Sequence, residues 1–593
     1  MDLVSAQRIL ASVWLFALAL CAHGPDALAA DDCPQGRAVR LWTAPLGPRP
    51  GSPLEIVAVA TDGPLEQILI TDPNGRRDRL RVKSLGGPPW ALYGTQFRPV
   101  AGTYRTETSR FGRIEACTRV TVGEQDVRRE TADWNLETEA LYSVWIEHLF
   151  DTPPHEPLSF DSLGPVLRDP ERNFLFNYLG QGEDRSIRAE PDCADLPYFL
   201  RSYFAWKLGL PVAYRACSRG SSKRPPSCRS PMVETRFMGA PVSLDTFREI
   251  VRRQADTVHS GSARTALSDE STDFYPVPLE RDALWPGTLY ADPYGHVMVL
   301  VKWVPQRGDR SGLLLAVDAQ PDNSVTRKRF WEGTFLFAKT HSAGPGFKTF
   351  RPLTGSGSGL RPVSNTSLDG RDGLPRYSTE QASLTPDDFY ARLETLINPR
   401  GLDPNAAYEA TLDALMEQLE TRVASVANGE DYVRSHPGTT IAMPSGPAIF
   451  ETTGAWEDYS TPSRDMRLLI AMKVLESLPE RIRRYPNLYR LAGESPSAAA
   501  SRIERLHARR LEERSISYRR SDGSDWRLSL GDIYRRRPGL EVGYNPNDCI
   551  ERRWGATEDS PDGATCGRRA PRDQLARMES YRPWFRDTVR PPR

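Results

Sequence analysis

The clearest hydrophobic pattern in the chain begins just after Cys193. Apolar residues recur there at helical spacing on one face, and they are Leu196, Phe199, Leu200, Tyr203 and Phe204. Gly209 and Pro211 follow, and both are usual signals of a helix end. The pattern predicts a helix with Cys193 at its N-terminus, on the face that carries Leu196 and Leu200.

This position gives the Cys193 thiol two interpretations. The positive end of a helix dipole favours the thiolate, and the thiolate is the form that acts as a nucleophile. The alternative is a structural cysteine in the core, which is common. Residues elsewhere in the chain have to distinguish a nucleophile from a structural cysteine.

Other patterns predict the flanking regions. Short alternating strands separated by turns at residues 33–123 predict a β-sandwich, and the stretch at 101–104 before its closing strand resembles bacterial immunoglobulin-like modules. After residue 385, capping side chains followed by proline predict a series of helix starts at Thr385-Pro386, Asp403-Pro404, Thr461-Pro462 and Ser495-Pro496.

We therefore expect an α+β protein in five segments. They are a signal peptide at 1–29, an immunoglobulin-like β-sandwich module at 30–125, a central domain at 126–353, a Gly/Ser/Pro-rich linker at 354–384 and a helical C-terminal region at 385–593. The central domain contains a long polar insertion at 218–282, which is either a lid or an elaboration of the fold.

Two polar residues lie at the ends of neighbouring predicted strands in the central domain. His296 begins an apolar strand, and Asp318 ends the next one, with a turn between them at 306–312. A cysteine nucleophile needs a base and a group that orients the base, so Cys193, His296 and Asp318 are the candidate catalytic set. A strand-edge histidine and a strand-ending acid are the alternative interpretations, and His341 is a reserve candidate for the base.

Charge and hydropathy narrow the classes of partner. Of the 593 residues, 77 are Lys or Arg and 77 are Asp or Glu, so no net field favours nucleic acid or membrane surfaces. An apolar run at 9–22 followed by Ala27-Leu28-Ala29 is typical of a signal peptide and too short for a confident membrane span. We expect an exported protein, periplasmic or secreted, with no integral membrane segment after cleavage.

The expected export makes the cysteines informative. Removal of the signal peptide takes Cys21 and leaves seven, of which six can form three local pairs: Cys33 with Cys117, Cys217 with Cys228, and Cys549 with Cys566. Cys193 would then be the odd thiol, although a Cys193–Cys217 bridge is also open. No His/Cys cluster has metal-ligand spacing, so we expect neither a metal nor another cofactor.

The order of these residues resembles the NlpC-type cell-wall peptidases, which are papain-like cysteine hydrolases. The resemblance covers residues 170–320. It rests on Asp192-Cys193-Ala194-Asp195 at the helix start, Tyr178-Leu179-Gly180-Gln181-Gly182 upstream, Pro286-Gly287-Thr288 and the strand His296-Val297-Met298-Val299. Ala194-Asp195 and Thr288 depart from the residues usual in that family.

The resemblance implies a papain-like (NlpC-type) catalytic domain that cleaves amide bonds in peptidoglycan peptides without a cofactor. It also implies that the Tyr178 hydroxyl helps to bind the oxyanion. An aspartate as the third residue is more similar to transglutaminase-like acyl transferases, which is the alternative activity. A catalytically inactive cell-wall-binding scaffold is the alternative outside the enzymes. The sequence does not fix the oligomeric state.

Overall fold

A computed structural model describes residues 38–123, 133–228, 231–237, 242–308, 310–320, 322–338, 340–355, 359–451 and 454–591. The expected signal peptide and Cys33 lie outside these residues. The described chain is a mixed α+β protein with several antiparallel sheets and a helical C-terminal region.

The N-terminal region is a β-sandwich. Its strands are β1 (Val39–Ala44), β2 (Leu54–Ala60), β3 (Gln67–Thr71), β4 (Arg77–Arg79), β5 (Val82–Gly86), β6 (Trp90–Gln96), β7 (Gly102–Arg110) and β8 (Arg113–Val122). They form two four-stranded antiparallel sheets, with strand orders β1-β2-β6-β5 and β4-β3-β7-β8. Apolar side chains alternate inward from both sheets, as two packed sheets require.

The central region combines helices with a large antiparallel sheet. Its helices are α1 (Leu136–Leu149), α2 (Leu163–Arg168), α3 (Asp195–Leu208), α4 (Leu244–Ala255) and α5 (Ser260–Ala263). Its strands are β9 (Ser159–Phe160), β10 (Pro211–Tyr214), β11 (Val233–Arg236), β12 (Phe274–Pro276), β13 (Leu289–Ala291), β14 (Val297–Val304), β15 (Leu313–Ala319), β16 (Val325–Arg329) and β17 (Gly346–Phe350). Seven of these strands form one sheet in the order β12-β17-β13-β14-β15-β16-β9.

Helix α3 is buried on nearly every side, so its apolar stripe is broader than the sequence pattern predicts. The expected face is buried, and so are polar residues on the other faces, including Arg201, Ser202 and Lys207. Each of these polar groups has a partner; for example, Ser202 Oγ donates to Gln254 Oε1 over 3.0 Å. The helix ends at Gly209 in the left-handed conformation, as the sequence predicts.

The sandwich and the central domain share one apolar core. Val57, Val59 and Leu85 of the sandwich belong to the same buried cluster as Trp145 of α1 and Leu200 of α3. Polar contacts cross the same boundary, and the Gly86 N–H donates to Glu147 Oε1 over 3.2 Å. The sandwich is therefore packed into the central domain.

Most of the insertion at 218–282 is core structure, which favours an elaboration of the fold over a lid. Phe247 on α4 is buried and stacks on Trp206 of α3 with ring centroids 4.3 Å apart. β12 forms the edge of the seven-stranded sheet through its pairing with β17. A chain that supplies a sheet edge and a core aromatic cannot be a movable cover.

The segment at 354–384 is not the free linker that its composition predicts. It contains a short hairpin of β18 (Leu353–Thr354) and β19 (Arg361–Pro362). Gln381 is fully buried, accepts from the Phe347 N–H over 2.9 Å and donates to the Val277 carbonyl over 2.7 Å. These bonds fix the segment on β17 of the large sheet and on the chain that follows β12.

The C-terminal region is helical, as predicted. Its helices are α6 (Pro386–Ile397), α7 (Pro404–Ser435), α8 (Gly454–Tyr459), α9 (Pro462–Arg484), α10 (Pro496–Glu513), α11 (Leu530–Arg535), α12 (Arg537–Leu540), α13 (Ile550–Arg553) and α14 (Arg572–Arg586), with one hairpin of β20 (Ser515–Arg519) and β21 (Asp525–Ser529). Side chains of Thr385, Asp403 and Ser495 cap α6, α7 and α10, whereas Thr461 makes no side-chain cap at α9.

This region packs against the central domain beside His296. Gln418 of α7 donates to the Gly333 carbonyl over 2.9 Å, and the Arg590 guanidinium lies 5.3 Å from the centre of the Tyr294 ring. Within the described residues, no helix is long and apolar enough to cross a membrane.

Candidate active site

The start of α3 is organised by Asp192. The Asp192 carboxylate accepts hydrogen bonds from the N–H groups of Ala194 and Asp195 over 2.8 and 2.9 Å, and its carbonyl accepts from the Leu196 N–H over 3.0 Å. Asp192 is therefore the effective cap, and Cys193 is the first residue of the helical turn.

The cap leaves the peptide N–H of Cys193 available. Among the described residues no acceptor for this N–H is found, and the thiol itself is partly exposed. A free N–H at a helix start, next to its own thiol, is the kind of donor that stabilises an oxyanion formed on an attacked carbonyl.

His296 is positioned by a tight turn between β13 and β14. The Asp292 N–H donates to the His296 carbonyl over 2.9 Å, and Asp292 Oδ1 accepts from the Tyr294 N–H over 2.7 Å. Gly295 has a φ of 123°, a backbone conformation that a side chain would strain. The turn therefore fixes His296 at the start of β14.

Asp318 orients His296 from the neighbouring strand. His296 Nε2 lies 2.8 Å from Asp318 Oδ2, and the carboxylate is only 1% exposed while the imidazole is 17% exposed. Strand β15 pairs with β14 and delivers Asp318 beside the histidine, as the sequence predicts.

The other ring nitrogen, Nδ1, is left for the thiol. The Cys193 side chain lies close enough to His296 to raise the pKa of the imidazole through its charge and through hydrogen bonding. Helix α3 and strand β14 thus bring the nucleophile candidate, the base candidate and its orienting acid together. A thiol, a base and a group that orients the base are the three parts that nucleophilic catalysis by cysteine requires.

The groups around His296 favour the protonated form of its imidazole. Burial lowers the pKa of His296, but the negative charge of Cys193 and the Asp318 hydrogen bond outweigh it and raise that pKa to about 9. Burial would raise the pKa of Asp318, but the Lys328 charge and the His296 hydrogen bond hold it below its usual range. His296 is therefore protonated at neutral pH.

Acidic residues and the C-terminal region surround the start of α3. Burial and the Asp192 carboxylate raise the pKa of Asp195 to about 7. Burial and the carboxylates of Asp458 and Asp192 raise the pKa of Glu457 on α8. Glu457 of α8 therefore lies within electrostatic reach of Asp192, at the turn that carries Cys193.

Other histidines lie elsewhere in the fold. His259 caps α5, with Nδ1 accepting from the Gly261 N–H over 3.0 Å and Nε2 lying 2.9 Å from the Cys217 carbonyl. His341, the reserve candidate, is exposed on a bend. Of these histidines, it is His296 that meets Cys193.

Tyr178 is 9% exposed and belongs to the core cluster shared with the sandwich. Its carbonyl accepts from the Leu46 N–H of the sandwich over 2.8 Å. The role of its hydroxyl at the oxyanion stays a prediction.

Sequence analysis missed two residues that bind Asp318. Lys328 Nζ and Gln320 Nε2 donate to the same Oδ2 atom that holds His296, over 2.8 and 2.6 Å. Gln320 follows Asp318 by two residues, which in a strand puts both on one face and could have suggested it. Lys328 could be found only from the register of β15 and β16.

The cysteine pairing agrees with the prediction where the structure describes it. Cys217 bonds to Cys228 and Cys549 bonds to Cys566, so the alternative Cys193–Cys217 bridge is not formed. Cys117 is in a disulfide, and its expected partner Cys33 lies outside the described residues. Among the described cysteines, Cys193 alone is a free thiol.

One further group has the spacing of a metal site. Cys549, Glu551 and Cys566 present ligand atoms within 4.8 Å of one another. The two sulfurs are bonded to each other, and both Glu551 oxygens accept hydrogen bonds from Ser521 or Thr565. These atoms are engaged and do not form a metal centre.

The comparisons with known proteins find no family model and no curated relative that match this chain. The functional conclusion has to be argued from the site itself.

Proposed function

We propose that the protein is an exported cysteine hydrolase that cleaves amide bonds, with peptidoglycan peptides as its substrates. The observation that carries the proposal is the contact of Cys193 with a His296 that is itself held by Asp318. The papain-like fold and the choice of substrate rest on the resemblance of the motifs around these residues to NlpC-type peptidases.

The proposed reaction begins with attack by the Cys193 thiolate on the amide carbonyl. The Cys193 N–H, left free by the Asp192 cap, donates to the developing oxyanion. The His296 imidazolium gives its Nδ1 proton to the leaving amine as the tetrahedral intermediate collapses to a thioester. The neutral imidazole then takes a proton from water, which hydrolyses the thioester and regenerates the thiolate.

Asp318 keeps the imidazole in the productive orientation throughout. Its bond to Nε2 leaves Nδ1 directed at the thiol and the leaving group. The disulfides favour an oxidising compartment, which is consistent with export.

Two measurements test the proposal. Iodoacetamide should alkylate one thiol in the unreduced native protein, and peptide mapping should place it at Cys193. Incubation with muropeptides should release new amines and carboxylates, detected by mass spectrometry, and Cys193→Ala should abolish the release. A native protein whose Cys193 resists alkylation at pH 7 to 9 would instead support an inactive scaffold.

Acyl transfer is the second candidate activity, and the observation that favours it is the aspartate at position 318. A transferase uses the same thioester but lets an amine take the acyl group in place of water. The muropeptide assay repeated with added amines separates the two, because transfer gives amine-linked products and hydrolysis gives free acids.

A further inference from the structure

The hydrogen bonds to the Asp318 carboxylate are concentrated on one of its two oxygens. Its Oδ2 atom accepts from three donors, namely His296 Nε2 at 2.8 Å, Lys328 Nζ at 2.8 Å and Gln320 Nε2 at 2.6 Å. Its Oδ1 atom is buried and has no hydrogen-bond partner among the described residues. The carboxylate is therefore held almost entirely through the oxygen that orients the histidine.

Strand register explains how Lys328 reaches this oxygen. In the antiparallel pair β15 and β16, Asp318 lies opposite Thr326, and Ala316 lies opposite Lys328. Lys328 is therefore the diagonal neighbour of Asp318 on the same face, and the diagonal distance of about 7–8 Å is within the reach of a lysine. The lysine side chain is 32% exposed, so its ammonium lies between the carboxylate and solvent.

A buried carboxylate needs a counter-charge at every stage of a reaction cycle. His296 supplies one while it is an imidazolium, but a general acid loses that charge when it gives up its proton. A carboxylate that is 1% exposed would then be an uncompensated buried charge, which is costly in a protein interior. Lys328 keeps its charge through the proton transfer and so removes this penalty.

We propose that Lys328 is a positioning residue of this site, which acts through Asp318 as its constant counter-charge. The proposal rests on the proposed function, because it assumes that His296 changes its protonation state during turnover. Lys328 has two effects on His296: it keeps Asp318 ionised, and it weakens the hold of Asp318 on the imidazolium proton. The second effect makes the imidazolium a better acid toward the leaving amine.

The groups with the largest effect on this cluster come from separate elements of the fold. His296 comes from β14 and Lys328 from β16, while Cys193 at the start of α3 acts on His296 from the other side. Gln320 contributes a neutral donor to the same Oδ2 atom and therefore provides a matched control.

The test compares Lys328→Met, which removes the charge, with Lys328→Arg, which keeps it, and with Gln320→Met, which removes a neutral hydrogen bond. In Lys328→Met we expect the basic limb of the kcat/KM profile to move to higher pH by about one pH unit, because Asp318 then binds the imidazolium proton more tightly. We also expect kcat to fall about tenfold. Lys328→Arg should restore the limb, and Gln320→Met should leave its position unchanged.

A second readout does not depend on turnover. The imidazole of His296 can be titrated by NMR in each variant, and Lys328→Met should raise the pKa of His296 while Gln320→Met does not. A folded Lys328→Met protein with the pKa of His296 unchanged would overturn the proposal, as would a loss of activity with an unmoved basic limb. If muropeptides are not cleaved by any variant while the NMR shift is present, the proposed substrate fails and the counter-charge role stands.

Discussion

Helix α3 carries a charged cluster at each end, and the two clusters differ in how completely their polar atoms are satisfied. At the C-terminal end, Lys207 pairs with Glu183 and Asp184, and the three side chains are 0–1% exposed. Both carboxylates also accept backbone N–H groups, those of Leu179 and Gln181 for Glu183 and that of Asn177 for Asp184. The charges of this cluster are therefore paired with one another, and its carboxylates are also bound by backbone N–H groups.

The cluster at the N-terminal end is open, in the sense that it is partly exposed and has polar atoms without a partner among the described residues. Cys193 and His296 are partly exposed, the Cys193 N–H is free among the described residues, and Asp318 Oδ1 has no partner there. A closed ionic cluster fixes the fold, whereas an open one retains groups that a substrate can engage. The comparison predicts that changes at one end affect activity and changes at the other affect stability.

The largest expected effect follows from Cys193→Ala. We expect turnover to fall by more than about 10³-fold, because no other described thiol can replace the nucleophile. The thiol is partly exposed, so the free energy of unfolding should change by less than about 1 kcal/mol. Muropeptide release and denaturant unfolding measure the two quantities, and a large loss of stability would contradict the division between the ends.

The reverse result is expected for Lys207→Met. This change leaves two buried carboxylates without their cation, so the free energy of unfolding should fall by about 3–5 kcal/mol. The kcat of the folded fraction should stay within about twofold, since the lysine lies at the far end of α3. Lys473→Met, at an exposed lysine of α9, is the matched control and should leave stability unchanged. Equal effects of the two substitutions on unfolding would show that the ionic cluster is dispensable.

A smaller effect is expected for Asp318→Asn, which keeps the shape of the orienting group and removes its charge. The kcat should fall about 10- to 100-fold, less than for Cys193→Ala, because an orienting group contributes less than the nucleophile. Alkylation of Cys193 by iodoacetamide should continue. If Asp318→Asn is as inactive as Cys193→Ala and its thiol no longer reacts, Asp318 does more than orient.

The smallest expected effect is on the pH dependence of stability. The pKa of His296 is raised to about 9 in the folded protein, above the value of about 6.5 for an unfolded chain. The stabilisation from its protonated form is therefore present below pH 6.5 and lost as the pH rises through about 9.

Cys193→Ala removes the largest contribution that raises this pKa, so the variant should show a flatter profile. We expect the free energy of unfolding of the wild type to fall by about 1 kcal/mol more than that of the variant between pH 6.5 and 9.5. Parallel profiles would mean that Cys193 does not raise the pKa of His296. Denaturant titrations at each pH provide the measurement.

Local patterns predicted much of this site from the sequence. The apolar spacing and the stop signals Gly209 and Pro211 located α3, and strand patterns placed His296 and Asp318 at the ends of neighbouring strands. Lys328 could not be found this way, because its contact depends on the pairing register of two strands and not on either strand alone.

At 354–384 the composition of the sequence predicted less structure than the segment has. Its Gly, Ser and Pro content is typical of linkers, yet Gln381 and Leu368 are buried by contacts with distant parts of the chain. Composition records how a segment behaves when it is isolated, and tertiary contacts can override it. For the insertion at 218–282 the sequence left a lid and an elaboration open, because its polar composition does not show which of its apolar residues reach the core.

The Asp192 cap also sets the direction in which the sulfur points. Successive residues of an α-helix are rotated by about 100°, and the residue that follows the cap occupies a fixed angle around the axis. Moving the cysteine to position 194 or 195 would keep it at the positive end of the helix but turn it away from His296. Asp192 therefore determines where the helix begins. Because Cys193 follows it directly, the helix start also determines the angular position of the thiol around the helix axis.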